Sequence, residues 1–281
     1  MPENTLYYGD NLEILRRYVK DESVDLIYLD PPFNSKRDYN MPFVDPSGKR
    51  RDAQIQAFKD TWYWDEDAVR TYKEIVERGG KISEVMQAFK LILDGSSMMA
   101  YLTMMCARLI ELNRILKPTG SIYLHCDINA SHYLKLLMDA IFGRENFRNE
   151  IEWKRTSSHN DSKKFPHIHD SILFYAREGY TWNPIFSTDI NSLWTDIFPL
   201  SSRSVEKLDY PTQKPEKLLE RIILASSNPT DTVLDPYCGC GTTLAASQRL
   251  NRHWIGIDNS PLAIEMTERR LQLAVGELRY A

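Results

Sequence analysis

Residues 30–33 read Asp-Pro-Pro-Phe and close an apolar run, "VDLIYL". A proline after Asp30 and another after Pro31 keep the chain extended, so it leaves the run stiffly and cannot begin a helix. The carboxylate of Asp30 and the carbonyl of Pro31 are left as two neighbouring, unspent acceptors, with the flat face of Phe33 beside them. Two acceptors and a ring suit an amine carried on an aromatic base, whose two N–H donors match them. Such an amine is a weak nucleophile because its lone pair is delocalised into the ring. Holding its hydrogens beside a carboxylate turns that pair toward an electrophile, a task of alignment and electrostatics. Taken alone, the same four residues also read as a strand-end cap, Asp30, with Phe33 in the core.

A site for the electrophile is offered by "VLDPYCGCGTT". Gly239 and Gly241 fall between a strand and a helix, where they let the backbone approach a ligand and leave the helix N–H groups free. Asp258 follows the next strand about 20 residues on, the spacing at which a carboxylate reaches ribose hydroxyls. An adenosine-containing cofactor fits this pattern and a dinucleotide does not. The third glycine would fall at Leu244, and Asp235-Pro236 would crowd a pyrophosphate with negative charge. No G-x-x-x-x-G-K-[ST] sequence exists, which excludes a P-loop. S-adenosylmethionine has no phosphate, and its ammonium suits a carboxylate such as Asp235.

These residues need a sheet to bring them together, and the chain alternates strand and helix signals in the manner of an α/β fold. "TLYYG" predicts a strand and "DNLEILRRYV" a helix with Asp10 near its start. "VDLIYL" predicts a strand covered on both faces. Residues 98 to 116 have helical periodicity, stopped by a turn at Lys117-Pro118-Thr119-Gly120. "SIYLHC" is the next strand, and "NASHYLKLLMDAIF" the next helix, with Asn129 as its cap. "NEIEWKR" and "DSILFYA" are two strands with no helix between them. "KPEKLLERIILASS" is a helix with Pro215 at its first position. "DTVLD", "HWIGID" and the two helices after them complete the series. Residues 34–97 and 155–209 break the rhythm and read as insertions in a single catalytic domain spanning 1–281.

Composition is that of an ordinary globular protein: 281 residues, 42% apolar, 26% charged and a net charge of −4. The start, "MPENTLYYGD", does not read as a secretion signal. The most apolar helix carries Arg108, Glu111 and Arg114 and is too polar to span a bilayer. Cys106, Cys126, Cys238 and Cys240 form no disulfide framework. These signs predict a reduced, cytoplasmic protein without a membrane partner. The C-x-C of Cys238 and Cys240, lacking nearby histidines, reads as packing, so no metal is expected. His167 and His169 read as loop donors. Basic residues gather in runs around Lys36 and Arg37, around Arg155, Lys163 and Lys164, and around Arg203. Any one run alone reads as solvated surface; a polyanion would use them locally despite the negative total.

The sequence resembles the β-class DNA amino-methyltransferases, in which the D-P-P-F motif precedes the cofactor motif. "YYGDNLEIL", "LDPPF", "ILKPTGSIYLHCD", "NEIEWKRTS", "YPTQKPEKLLERI", "LDPYCGCGTT" and "GIDNSPLAIEMTERRL" carry the resemblance in order and cover most of the chain. It implies a Rossmann-like, S-adenosylmethionine-dependent methyltransferase fold. Its mostly parallel, seven-stranded sheet would be circularly permuted and bear the two insertions. It assigns Asp30, Pro31, Pro32 and Phe33 to the target base. Asp10, Asp30, Thr212, Lys214, Asp235, Gly239, Gly241, Thr242, Asp258 and Asn259 would surround the cofactor, with Asp10 near the adenine and Thr212 and Lys214 near the methionyl end. Tyr210 departs from the family, where histidine is frequent, as do Cys238 and Cys240, where smaller or hydroxyl residues are common.

A base inside a duplex cannot enter such a pocket and must be flipped out. The 155–209 insertion stands where the family keeps its target-recognition region, which makes Lys36, Arg37, Arg155, His159, Lys163, Lys164 and Arg203 DNA-binding candidates. The 34–97 insertion would fold over the DNA or the cofactor as a helical or loop region. The resemblance implies double-stranded DNA as substrate and N6 of adenine as the target, because members beginning the motif with aspartate more often act there. Cytosine N4 presents the same amine and stays open. It also implies a nucleoid-associated protein and admits a cognate restriction endonuclease or a second copy of the chain as partner. Carbon-5 methylation would need a Pro-Cys pair, which is absent. A non-catalytic nucleic-acid-binding subunit of the same fold is the alternative from another class; the intact Asp30, Pro31, Pro32 and Phe33 argue against it.

Overall fold

The computed structural model describes residues 4–34, 37–44, 50–156, 163–185 and 191–273, with the backbone alone over 37–44 and 50–59. In chain order the strands and helices are β1 (Thr5–Tyr8), α1 (Asn11–Tyr18), β2 (Val24–Leu29), β3 (Arg37–Val44), β4 (Arg50–Asp60), α2 (Glu66–Glu77), α3 (Gly80–Leu93) and α4 (Ser97–Ile115). There follow β5 (Leu116–Cys126), α5 (Ser131–Phe142), β6 (Phe147–Lys154), β7 (His169–Ala176), β8 (Leu193–Trp194), α6 (Glu216–Ser226), β9 (Thr232–Asp235), α7 (Thr242–Arg249), β10 (His253–Asp258) and α8 (Pro261–Leu273).

One sheet runs in the order β1-β10-β9-β2-β5-β7-β6-β8. All its pairings are parallel except those of β7, which lies antiparallel to both β5 and β6. Seven of these strands are the expected ones, and an eighth of two residues adds to the edge.

The apolar run of β2 shows why this sheet is covered on both faces. Its side chains alternate direction. Ile27 and Leu29 pack into a core with α1, α3, α4 and α5, and Leu26 and Tyr28 into another with α6 and Ala246 of α7. Tyr123 of β5 and Phe174 of β7 stack at 4.3 Å in the second core, while Ile122, Leu124, Leu173 and Tyr175 face the first. No helix among the described residues is long and apolar enough to cross a membrane.

β2 and β9 are neighbours, with Leu26 opposite Val233 and Ile27 opposite Leu234. From β2 the next sheet strand lies to one side, β5, and from β9 it lies to the other, β10. A crevice opens at the carboxyl ends of parallel strands where the order turns in this way. The two sequence motifs therefore leave the sheet side by side.

Three local expectations are corrected. Lys117-Pro118-Thr119-Gly120 is no separate turn but the irregular first part of β5, where the register with β2 shifts. Asn129 does not cap α5: Ala130 holds that position, and Asn129 instead donates its backbone N–H (3.0 Å) and side-chain amide (2.6 Å) to Asp127. Pro215 is the capping residue of α6 and not its first helical one. The 34–97 segment contains the antiparallel β3–β4 hairpin, besides helices α2 and α3, which pack on α4 and α5.

Candidate active site

A cleft of about 630 Å³ lies at the crevice, lined by Asp30, Pro31, Pro32 and Phe33 on one side and Asp235, Gly239, Thr242, Asp258 and Asn259 on the other. Asp10, Thr212 and Lys214 also line it. Of the candidates for target base and cofactor, only Gly241 is off its wall, one turn behind as the cap of α7.

The glycine turn is built on positive φ angles, 51° at Gly239 and 75° at Gly241, which favour glycine. A Cβ at Gly239 would come within 3.2 Å of the Tyr210 ring, and one at Gly241 within 2.8 Å of Thr267. The Gly239 N–H donates to the Asp258 carboxylate at 2.9 Å, the Ser260 N–H donates to its other oxygen at 2.9 Å, and the Thr267 hydroxyl donates to the Gly239 carbonyl at 2.8 Å. Burial pushes the Asp258 carboxyl above its usual range. Thr242 accepts from Arg270 at 3.0 Å.

Asp235 is turned into the protein. It accepts from the Thr243 hydroxyl at 2.5 Å and from the Tyr237 N–H at 3.0 Å, and burial pushes its carboxyl up to about 7. Its first task is to brace the turn. Asp10 is likewise occupied: it caps α1 through the Leu12 N–H at 2.9 Å and receives Arg108 at 2.6 Å. Arg108 also donates to Asn11, whose amide reaches the Pro236 carbonyl at 2.8 Å. These bonds tie the N-terminus of α1 to the glycine turn.

At the D-P-P-F corner, Lys214 is paired with Asp30 on the wall of the cleft. Its ammonium bonds Oδ2 of Asp30, with the Thr212 carbonyl at 3.4 Å and the Phe33 ring at 5.8 Å. Oδ1 of Asp30 is buried and has no hydrogen-bond partner among the described residues. Asn34, in a left-handed conformation (φ 59°), ends the corner by donating its N–H to Asp60 at 2.6 Å. The 34–97 segment thus reaches the cleft, and Asp60, Thr61 and Trp62 line it.

Tyr28, Trp62 and Arg108 line the cleft without belonging to a motif, and Asn11, from "YYGDNLEIL", lines it although nothing in the sequence singles it out. Tyr28 reads from sequence as a packing residue of a buried strand. A charge inside the otherwise buried helix α4 is the one sign of Arg108.

The DNA-contact candidates are less gathered. Arg155 pairs with Asp170 at 2.8 Å. Lys163, Lys164 and Arg203 are exposed. Lys36 and His159 lie outside the described residues, and Arg37 is described by its backbone alone. Cys238 and Cys240 are buried, with their thiols pushed up by burial.

A switch-point cleft pairing a glycine cradle with an acceptor-rich corner is a group-transfer site, and residues 24–269 match the family model described as DNA methylase. The chain belongs to that family and is an enzyme that methylates DNA. It is 29% identical to the DNA adenine methyltransferase YhdJ of Escherichia coli K12, over 96% of this chain and 83% of that protein. Against the type II methyltransferase M.EcaI of Enterobacter cloacae it is 26% identical, over 97% of this chain and 70% of the relative. Its fold is that of the M1.HpyAVI–SAM complex (TM-score 0.58, 21% identity, 95% of this chain and 98% of the other). It is also that of the cytosine-N4-specific PvuII DNA methyltransferase (TM-score 0.60, 16% identity, 99% and 95%). S-adenosylmethionine is the cofactor of this family, and the cradle fits it: a floor without side chains at Gly239 and carboxylates at both ends.

Proposed function

We propose that this DNA methylase acts on N6 of adenine, with the amine held by Asp30 and the carbonyl of Pro31 and the base lying on Phe33. One observation carries the reading: Oδ1 of Asp30 is a buried acceptor without a partner among the described residues, and Asp30 lines the cleft that Gly239 floors. Leaving such an atom unsatisfied costs roughly 1–3 kcal/mol, which a purely structural aspartate would avoid. An incoming amine supplies the missing donor. The aspartate that opens the motif and the names of relatives such as YhdJ support adenine.

Bound S-adenosylmethionine supplies an electrophilic methyl group. Asp235 and Lys214 suit the ammonium and carboxylate of its amino acid end, and Asp258 and Asn259 its ribose. Asp30 accepts an amine N–H and concentrates electron density on the nitrogen, while Pro31 and Phe33 hold the base in plane. Extruding the base costs on the order of a few kcal/mol, which stacking of roughly 1–3 kcal/mol per base offsets.

The 155–209 segment is read as the target-recognition region. Its first part, 155–168, joins β6 to β7 at the end of the sheet where β7 begins opposite Cys126, and the segment also contains β7 and β8, which are strands of the sheet. The type II designation of M.EcaI supports a companion restriction endonuclease. The test is nucleoside analysis and methylation mapping of unmethylated DNA treated with the protein and S-adenosylmethionine. N6-methyladenine at one short sequence is expected. N4-methylcytosine would move the target to the other amine, and no methylated base would refute the reading.

A further inference from the structure

Beneath Phe33 runs a chain of polar groups that neither the cradle nor the corner requires. His125 of β5 is fully buried, and its ring lies against Phe33 at 6.0 Å and 24°. Trp153 of β6 and Tyr28 of β2 meet it edge-on at 5.8 and 6.3 Å. Nδ1 of His125 is 2.9 Å from the Tyr28 hydroxyl, and Nε2 is 3.2 Å from Oδ2 of Asp170. The other oxygen of Asp170 takes Nε of Arg155 at 2.8 Å.

The proton positions along this chain follow from its ends. Burial pushes the Asp170 carboxyl up, but the His125 hydrogen bond and the nearby Lys214 and Arg155 outweigh it, so that the group lies below the usual carboxylate range. Asp170 is therefore an acceptor, and Nε2 of His125 carries the hydrogen. Nδ1 is then left to accept from Tyr28, whose hydroxyl burial keeps protonated. Every link has one direction.

The outer end is not buried. The Arg155 side chain is 46% exposed, at the point where the chain leaves β6. Its backbone N–H bonds the Ile168 carbonyl at 3.0 Å, closing the base of the 155–168 segment. A buried ion pair adds little stability that apolar packing would not supply. One such pair, continued by hydrogen bonds from a half-exposed arginine to the ring under the catalytic corner, asks for another reason.

We propose that Arg155, Asp170 and His125 are positioning residues that tie DNA contact at the 155–168 segment to the placement of Phe33 and Tyr28 for the target base. DNA phosphate engaging Arg155 fixes Asp170, which fixes the His125 plane on which Phe33 rests. This rests on the reading of Phe33 as the base-stacking ring.

The test compares Arg155→Gln, Arg155→Lys, His125→Phe and the Gln/Phe double variant with wild type, after wild type has been shown to methylate an amine in DNA. Single-turnover transfer is measured at saturating DNA and cofactor. Fluorescence is read from a duplex carrying 2-aminopurine at the mapped target. Arg155→Gln is expected to lower the transfer rate tenfold or more and to dim the fluorescence of the extruded base, with cofactor affinity unchanged and the melting temperature lowered because Asp170 loses its partner. Arg155→Lys should recover most of the rate. The double variant should be no slower than His125→Phe alone, because both changes cut one line. A raised KM for DNA with an unchanged transfer rate, the signature of an ordinary phosphate contact, would overturn the proposal. So would losses that multiply in the double variant. Should His125→Phe fail to fold, the rate of Arg155→Gln decides alone. A wild type that transfers no methyl group to DNA would defeat the functional reading and not the relay.

Discussion

Lys214 and Asp30, 184 residues apart in the chain, are bonded ammonium to carboxylate on the wall of the cleft, and only one of the two carboxylate oxygens is used. The cofactor-side motif "TQKP" and the base-side motif "DPPF" therefore meet in a single ion pair. The pair is partly buried, and removing one partner of a fully buried pair, at roughly 3–5 kcal/mol, sets the upper bound on its loss. Lys214→Met is expected to lower the melting temperature by several degrees, and Asp30→Asn combined with it to recover most of that loss. Thermal melts of the two single variants and the double variant check this; additive losses would mean that the pair is not coupled.

Asp258 holds the glycine turn from below through the N–H groups of Gly239 and Ser260. Hydrogen bonds to a charged group contribute roughly 1.5–3 kcal/mol. Asp258→Ala should weaken S-adenosylmethionine binding by about 10- to 100-fold, read by calorimetry. An unchanged dissociation constant would count against the cradle.

Gly239→Ala tests the floor itself. A left-handed conformation costs a side chain roughly 1–2 kcal/mol, and the added methyl would press on the Tyr210 ring at 3.2 Å. Lower cofactor affinity and a lower melting temperature are expected together. Tyr210→Ser in the same chain should restore part of the affinity by making room, which a paired titration would show.

Burial pushes the Asp235 carboxyl up to about 7, so the folded protein keeps a proton that the unfolded chain loses near the ordinary aspartate value of 3.8. This contribution to stability is full below about pH 4 and is lost as pH rises toward 7. The melting temperature of Asp235→Asn, relative to wild type, should therefore climb between about pH 4 and pH 7 and level off above. A difference that stays flat across that window would show that the wild-type carboxyl titrates normally.

What the sequence made legible follows from how local each signal is. The D-P-P-F corner, the glycine turn and Asp258 each sit at a strand end marked by its own composition, so both walls of the cleft could be placed before any coordinates. Hydrophobic runs of both-face strands gave β2, β5, β9 and β10 for the same reason. Asp170 and His125 carry no such mark. They stand 45 residues apart on strands that read as continuous core, and only the antiparallel pairing of β5 with β7 sets them together. The hairpin at 37–60 was hidden inside a segment of mixed polarity, and β8, at two residues, is too short for any period. The pairing of Lys214 with Asp30 was not legible, because an ion pair across 184 residues leaves no trace in spacing.

The measurement that bears most directly on the acceptor-rich corner is made on Asp30→Ala: methyl transfer to DNA in a single turnover, alongside S-adenosylmethionine affinity by calorimetry. The expected result is transfer reduced at least a thousandfold with cofactor affinity within a few-fold of wild type. Normal transfer by the variant, or transfer and cofactor binding lost together, would contradict the assignment of Asp30 to the target amine.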